Sequence, residues 1–552
     1  MRPTARMPPR TGRHRFFVAL SGVASLGLTV YASAAGVQSA TGAVVPTAAV
    51  MTSSGPVVGA RRGSLDWFLG IPYAAPPVGD LRWRPPTAPR KWAKPREATA
   101  FANWCTQVAP EGFSKPILNE DCLYLNVVTP RDALRKRSKR AVIVWIHGGG
   151  LRQGRSNDYD PTLLVGKGNV VFVSFDYRLN ILGFLAHPEL DKEGHDFANY
   201  GLMDQQFALS WVRRNIRAFG GDPGNVTLMG ESSGGANVFN QLVSPTSAGL
   251  FNKAIIESGS LWFGPFAPFY DGYSLQEAEK TGKAAAELMG CPAGSPVSCM
   301  RSVPVEQLAA IVRKLPPYSF GVVVDGTIIT RRAHDAVLAG EFKRVPIING
   351  SNHDEWTWVE GLHENAAGHP LDPAKMQENL RDTFGDVADQ VVSHYPVAAY
   401  DGSAGAASAR AVTDGLFVCP LLAANRALAK FTQVWGYEFN DTQAPFPFRK
   451  ASFPYGAAHT LEMRYLFKDY TGAVGELKPL SAGQRALSDA MIRYWTNFAK
   501  RGNPNSADDV AWPAIGAGDE RYLSLRPPRP ELLAADRIDA VHQCGSLWSA
   551  LE

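Results

Sequence analysis

Val226-Thr-Leu-Met-Gly230-Glu-Ser232-Ser-Gly234-Gly235 joins a short apolar run to a glycine-rich stretch that opens a helix. Glycines on both sides of a central Ser, between a strand and a helix, describe a nucleophile elbow. The turn is too tight for neighbouring β-carbons, and its strained backbone lifts the Ser232 hydroxyl above the sheet. The five-residue pattern recurs by chance in many chains. Here the predicted strand over 226–229 and the predicted helix from Gly234 supply the context that the turn needs.

Strands are expected outward from this point at 122–128, 141–146, 170–175, 254–257, 346–348 and 434–439, each a short apolar or β-branched run. Between them, Phe207, Ala208, Trp211, Val212 and Ile216 recur at helical spacing and predict a helix over 202–218, ended by Gly-Gly-Asp-Pro at 220–223. Strands alternating with helices through short connections predict an α/β fold with a mostly parallel central sheet flanked by helices. A length prior of about 150 residues per domain suggests several domains. No linker divides the chain, however, so one large domain is expected. The basic segment 131–140 lies between two strands without interleaved aromatics and reads as a solvated connection.

Composition narrows the class of partner. With 552 residues, 45% hydrophobic and 19% charged, the chain is neither disordered nor fibrous. A mean hydropathy of −0.14 argues against a multi-span membrane protein. The formal charge of +5 invites a nucleic-acid or membrane-surface reading until the charges are located. Arg2, Arg6, Arg10, Arg13 and Arg15 precede an uncharged apolar run at 16–30, followed by Ala32-Ser33-Ala34. That layout is a secretory signal over residues 1–34. With no Lys, Asp or Glu in it, its five arginines account for the whole +5. Hence no nucleic acid is expected as a partner, and no membrane anchor is expected after cleavage. Residues 35–54 read as a flexible mature N-terminus and 55–552 as the folded domain. The chain has six Cys, and export makes them candidates for disulfides. Spacing suggests Cys105–Cys122, Cys291–Cys299 and Cys419–Cys544 and leaves the other pairings open.

His147-Gly148-Gly149-Gly150 follows the 141–146 strand, and consecutive glycines expose N–H groups that can point at one oxygen. With the N–H of Ser233 they would form an oxyanion hole. A Ser hydroxyl also needs a base, and the base an acid, in the chain order Ser, Asp or Glu, His. Glu355 ends Asn349-Gly-Ser-Asn-His-Asp-Glu355 after an apolar strand, and His459 lies among small residues in Gly456-Ala-Ala-His459. Spacing does not choose His459 over His394 or His542.

Longer stretches extend these motifs. The run from Phe219-Gly-Gly through Gly230-Glu-Ser232-Ser-Gly234 and the segment Glu120-Asp-Cys-Leu-Tyr-Leu-Asn-Val127 resemble the two signatures of the type-B carboxylesterase and cholinesterase family. Further matches are Gly70-Ile-Pro-Tyr-Ala-Ala-Pro-Pro-Val-Gly79, Tyr177-Arg178-Leu179, the stretch from Asn199 to Gln205, and Trp495-Thr-Asn-Phe-Ala-Lys-Arg-Gly-Asn-Pro504. Together they carry the resemblance over nearly the whole chain after the signal. It implies an α/β-hydrolase fold with an active-site gorge. It also implies Ser232 as nucleophile, His459 as base, Glu355 as acid, Gly149, Gly150 and Ser233 as oxyanion-hole donors, and the three disulfide pairs above.

Departures from the family pattern bear on substrate. Trp356 stands where a Gly commonly follows the acid, and Leu151 where an aromatic commonly follows the glycines. The Cys105–Cys122 loop contains no Trp to hold a quaternary ammonium, so a choline ester is not the expected substrate. Trp262, Phe263, Trp356 and Trp358 are the candidate pocket residues. The resemblance implies a secreted serine hydrolase of small, mostly uncharged carboxylic esters, working through an acyl-enzyme with no cofactor and no metal. His363-Glu364 opens like a zinc motif, but His369 has the wrong spacing. An interfacial lipase with the Cys105–Cys122 loop as a lid is the nearest alternative. A non-catalytic binding protein is the other, although such relatives typically lose the nucleophile.

Overall fold

The computed structural model describes residues 45–107, 117–135, 138–259, 267–446, 449–470, 478–516, 518 and 520–550. The expected signal at 1–34 lies outside them. Runs of β-branched and aromatic residues without polar alternation make strands that are buried on both faces. In chain order the main-sheet strands are β1 Val45–Pro46, β2 Ala60–Arg62, β3 Leu65–Pro72, β4 Tyr124–Pro130, β5 Arg140–Ile146, β6 Val171–Phe175, β7 Gly221–Glu231, β8 Lys253–Glu257, β9 Ile347–Asn352, β10 Val434–Phe439, β11 Arg521–Leu525 and β12 Glu531–Ala534. They lie in the order β1-β2-β3-β4-β6-β5-β7-β8-β9-β10-β11-β12. From β6 to β11 every neighbouring pair is parallel, and antiparallel strands close both ends.

Side-chain alternation along the central strands feeds two cores. Val142, Val144 and Ile146 of β5 join the core on one face, and Ala141, Ile143 and Trp145 join the core on the other. Each fully buried Val, Ile or Leu contributes roughly 1.5–3 kcal/mol. The predicted helix over 202–218 forms as Tyr200–Asn215 with a 3-10 turn, Ile216–Phe219, after it. The helix Ala404–Thr413 passes through a π turn at Asp414–Val418 into Cys419–Ala429. This is the one stretch, among the described residues, long and apolar enough to cross a membrane, and most of it is buried in the core.

Two expectations need correction. The flexible terminus expected over 35–54 does not extend to 45–54, where β1 pairs with β2, and Val50–Met51 pairs with Pro56–Val58. Burial of Thr47, Val50 and Thr52 holds them, with the Gly59 N–H donating to Thr47 Oγ1 at 2.9 Å. The basic connection also begins as a short helix, Arg131–Arg135, rather than as loop throughout. All three suggested disulfides form: Cys105–Cys122, Cys291–Cys299 and Cys419–Cys544.

Candidate active site

At the carboxyl end of β7 the chain turns sharply at Ser232, with φ 57° and ψ −127°, before the helix Ser233–Val243. The Ser232 N–H donates to Glu257 O of β8 at 2.8 Å, and Ser232 O accepts the N–H of Ala236 at 2.9 Å. Gly234 is demanded by close approach, because a β-carbon there would lie 2.2 Å from Ile146 O. Ser232 is therefore held by two neighbouring strands, and its conformation is strained in the way expected of an elbow.

The glycine loop after β5 abuts this turn. A β-carbon on Gly148 would stand 3.0 Å from Cβ of Ser232. Gly149 has φ 104° and leaves no room for a side chain, whose first carbon would meet Gln153 O at 2.1 Å. Leu151 N–H donates to Ser233 Oγ at 3.3 Å and ties the loop to the helix start. Among the described residues no acceptor takes the N–H of Gly149 or Gly150. His147 props the loop from below. Burial lowers its pKa to about 4, so the ring is neutral; it stacks on Tyr177 with centroids 4.5 Å apart, and Nδ1 lies 2.8 Å from Gly148 O.

His459 and Glu355 reach the same place from later turns. His459 Nδ1 lies 2.5 Å from Glu355 Oε2, and its backbone N–H donates to Glu355 O at 3.2 Å. Glu355 is fully buried, and its Oε1 accepts the N–H of Asn352 at 2.8 Å. The other ring nitrogen, Nε2, meets Glu231 Oε1 at 3.1 Å, and no hydrogen bond joins it to Ser232 among the described residues. Burial alone would lower the pKa of His459. Glu355 and Glu231 overcome that and raise it to about 9.

The structure gathers residues that sequence reading passed over. Glu231, Glu257 and Glu462 are buried as Glu355 is, and Glu231 and Glu462 act with Glu355 on the one imidazole. Burial lifts Glu231 to about 7, with His459 partly opposing, and lifts Glu462 to about 8 with help from Glu231 and Glu355. Glu257 is raised well above the usual range by burial, and one of its oxygens accepts Trp495 Nε1 at 2.7 Å. Asn352 Nδ2 donates to Glu462 Oε2 at 2.5 Å and to Ala458 O at 2.7 Å, joining the acid turn to the histidine turn. Glu231 was visible as the variable position of the elbow motif. Glu462 stands three residues after His459.

Of the pocket candidates, Trp358 stacks on His459 with an interplanar angle of 6°, and Trp356 lies beside Phe417, whose ring in turn meets His459 edge-on at 5.5 Å. Trp262 and Phe263 fall outside the described residues. His363 contacts Glu360 at 3.3 Å, while Glu364 accepts from Ser452, so the zinc-like pair is engaged elsewhere.

This arrangement of elbow, glycine loop and buried imidazole coincides with a family-wide match. The carboxylesterase family profile covers residues 46–540. The chain belongs to the carboxylesterase family. It is 36% identical over 483 residues to the fumonisin B1 esterase of Sphingopyxis macrogoltabida, covering 84% of this chain and 83% of that protein. It is 34% identical to the acylcarnitine hydrolase of Mus musculus, covering 86% of each. It is 32% identical to the cocaine esterase of Homo sapiens, covering 95% of each. Among solved structures, a thermophilic PNB esterase superimposes with a TM-score of 0.75 at 28% identity, covering 90% of this chain and 99% of that one. This carboxylesterase therefore has the α/β-hydrolase fold as a single domain and is a carboxylic-ester hydrolase.

Proposed function

We propose that the protein is an exported serine esterase that cleaves small esters through an acyl-enzyme, with Ser232 as nucleophile, His459 as base and Glu355 as acid. The observation that carries this is the 2.5 Å contact between His459 Nδ1 and Glu355 at the mouth of the Ser232 elbow. His459 Nε2, when unprotonated, takes the Ser232 proton as Oγ attacks the ester carbonyl. The N–H groups of Gly149, Gly150 and Ser233 hold the oxyanion, each donor worth about 3 kcal/mol. Protonated His459 then gives the proton to the leaving alcohol, and a water repeats the sequence to release the acid. Glu355 fixes the ring tautomer and stabilises the imidazolium. Trp358, stacked on His459, is the wall that we assign to the ester pocket. Support for export comes from the arginine-led apolar segment at the N-terminus and from the three disulfides, which persist in oxidising compartments. Turnover of p-nitrophenyl acetate by the wild type and by Ser232→Ala tests the reading. A fall of about a thousandfold or more with unchanged circular dichroism is expected; retained turnover overturns it.

A further inference from the structure

Away from Ser232, a second polar cluster brings together residues distant in sequence. His353 follows β9, Glu438 lies on β10, and His542 closes the helix Ala535–His542. Asp414 Oδ1 stands 2.5 Å from His542 Nδ1, and Asp354 Oδ1 stands 2.9 Å from His353 Nδ1. A carboxylate on Nδ1 fixes the ring and its tautomer and leaves Nε2 as the coordinating nitrogen, the arrangement found behind metal-bound histidines. His542 Nε2 is 3.1 Å from Glu438 Oε1, whose other oxygen accepts Asn440 Nδ2 at 3.0 Å. The two rings are 5.0 Å apart between centroids, and one ligand atom from each of His353, Glu438 and His542 lies within 4.8 Å of the others.

Charge points the same way. Asp354, Asp414 and Glu438 face a single guanidinium, Arg410, which bonds Asp354 at 2.9 Å and approaches Asp414 at 3.6 Å, behind the imidazoles. Buried charge is costly unless compensated. Three carboxylates and one guanidinium are balanced either by two imidazoliums or by one divalent cation with both rings neutral.

We propose that His353, Glu438 and His542 bind a Zn²⁺ ion, with Asp354 and Asp414 orienting the two rings and a water completing the tetrahedron. Two imidazoles and a carboxylate are a zinc-type donor set. Bonds of about 2.0–2.1 Å place tetrahedral ligand atoms ~3.3 Å apart, near the existing separation of His542 and Glu438. His353, half-buried beside the two deeper ligands, closes the last gap by turning inward and gives the ion its entry path. The ion would clip the C-terminal helix, two residues from Cys544, to the turn that carries Glu355.

The test uses untagged full-length protein with its disulfides intact, stripped of metal by chelation. Titration with Co²⁺ should give the visible bands of a four-coordinate ion, saturating at one per chain and abolished by one equivalent of Zn²⁺, with a Tm that rises on zinc addition. His353→Ala, at the accessible edge, should weaken binding at least tenfold while leaving the metal-free Tm near that of wild type. Glu438→Gln, at the buried ligand, should do the same to affinity. No saturable binding, or binding undiminished in His353→Ala, overturns the proposal.

Discussion

Nε2 of His459 lies 3.1 Å from Oε1 of Glu231, the residue immediately before Ser232. A base must be unprotonated to accept a proton, and the carboxylates of Glu355, Glu231 and Glu462 hold this imidazole's pKa up at about 9. Activity should therefore fall as pH drops below that value. Glu231→Gln removes one of these carboxylates, so the acid limb of the kcat/KM profile on a neutral ester should move to lower pH. A limb left in place by the substitution would show that Glu231 does not raise the pKa of this imidazole in the free enzyme.

Glu355→Gln retains an acceptor for the Asn352 N–H but removes the charge beside His459 Nδ1. Loss of the correct tautomer and of imidazolium stabilisation should lower kcat by about 10³–10⁴-fold. Steady-state kinetics of folded protein, verified by thermal melting, make the check.

Gly149→Ala forces a β-carbon to within 2.1 Å of Gln153 O at a φ of 104°. The loop must shift and carry its N–H groups away from the oxyanion. We expect kcat to drop by about 10²–10³-fold with a much smaller change in KM. An equal loss in binding of an uncharged product analogue would point to general collapse of the loop instead.

The Cys419–Cys544 bond spans 125 residues, whereas Cys291–Cys299 spans only 8. Cross-links that close longer loops restrict the unfolded chain more. Replacing Cys419 and Cys544 by Ser should cost about 2–5 kcal/mol in urea unfolding. The Cys291 and Cys299 pair should cost less.

Much of this was legible in the chain. Gly230, Gly234, Gly148 and Gly149 mark turns where a β-carbon would meet neighbouring backbone, and the mostly apolar, β-branched or aromatic runs of β5, β6 and β10 fit buried parallel strands. What sequence did not reveal depends on depth. Glu231, Glu355 and Glu462 sit at the ends or turns of different elements, and no periodicity shows that Glu231 and Glu462 join Glu355 around one ring. The short strands β1, β2 and β12 escape a sequence reading because two to four residues carry too little alternation to register. Which carboxylate the free nitrogen of His459 faces is set by packing, beyond the reach of spacing.

The buried glutamates also make folding a proton-uptake reaction. Glu231 and Glu462 rise from an ordinary 4.5 to about 7 and about 8, and burial raises Glu257 in the same direction. Groups raised in the folded state add stability that is complete below pH 4.5 and drains away as pH climbs through their folded values. At neutral pH the unfolding chain must shed those protons. A rise in pH favours the unfolded side, so the protein couples its own integrity to the acidity of its surroundings.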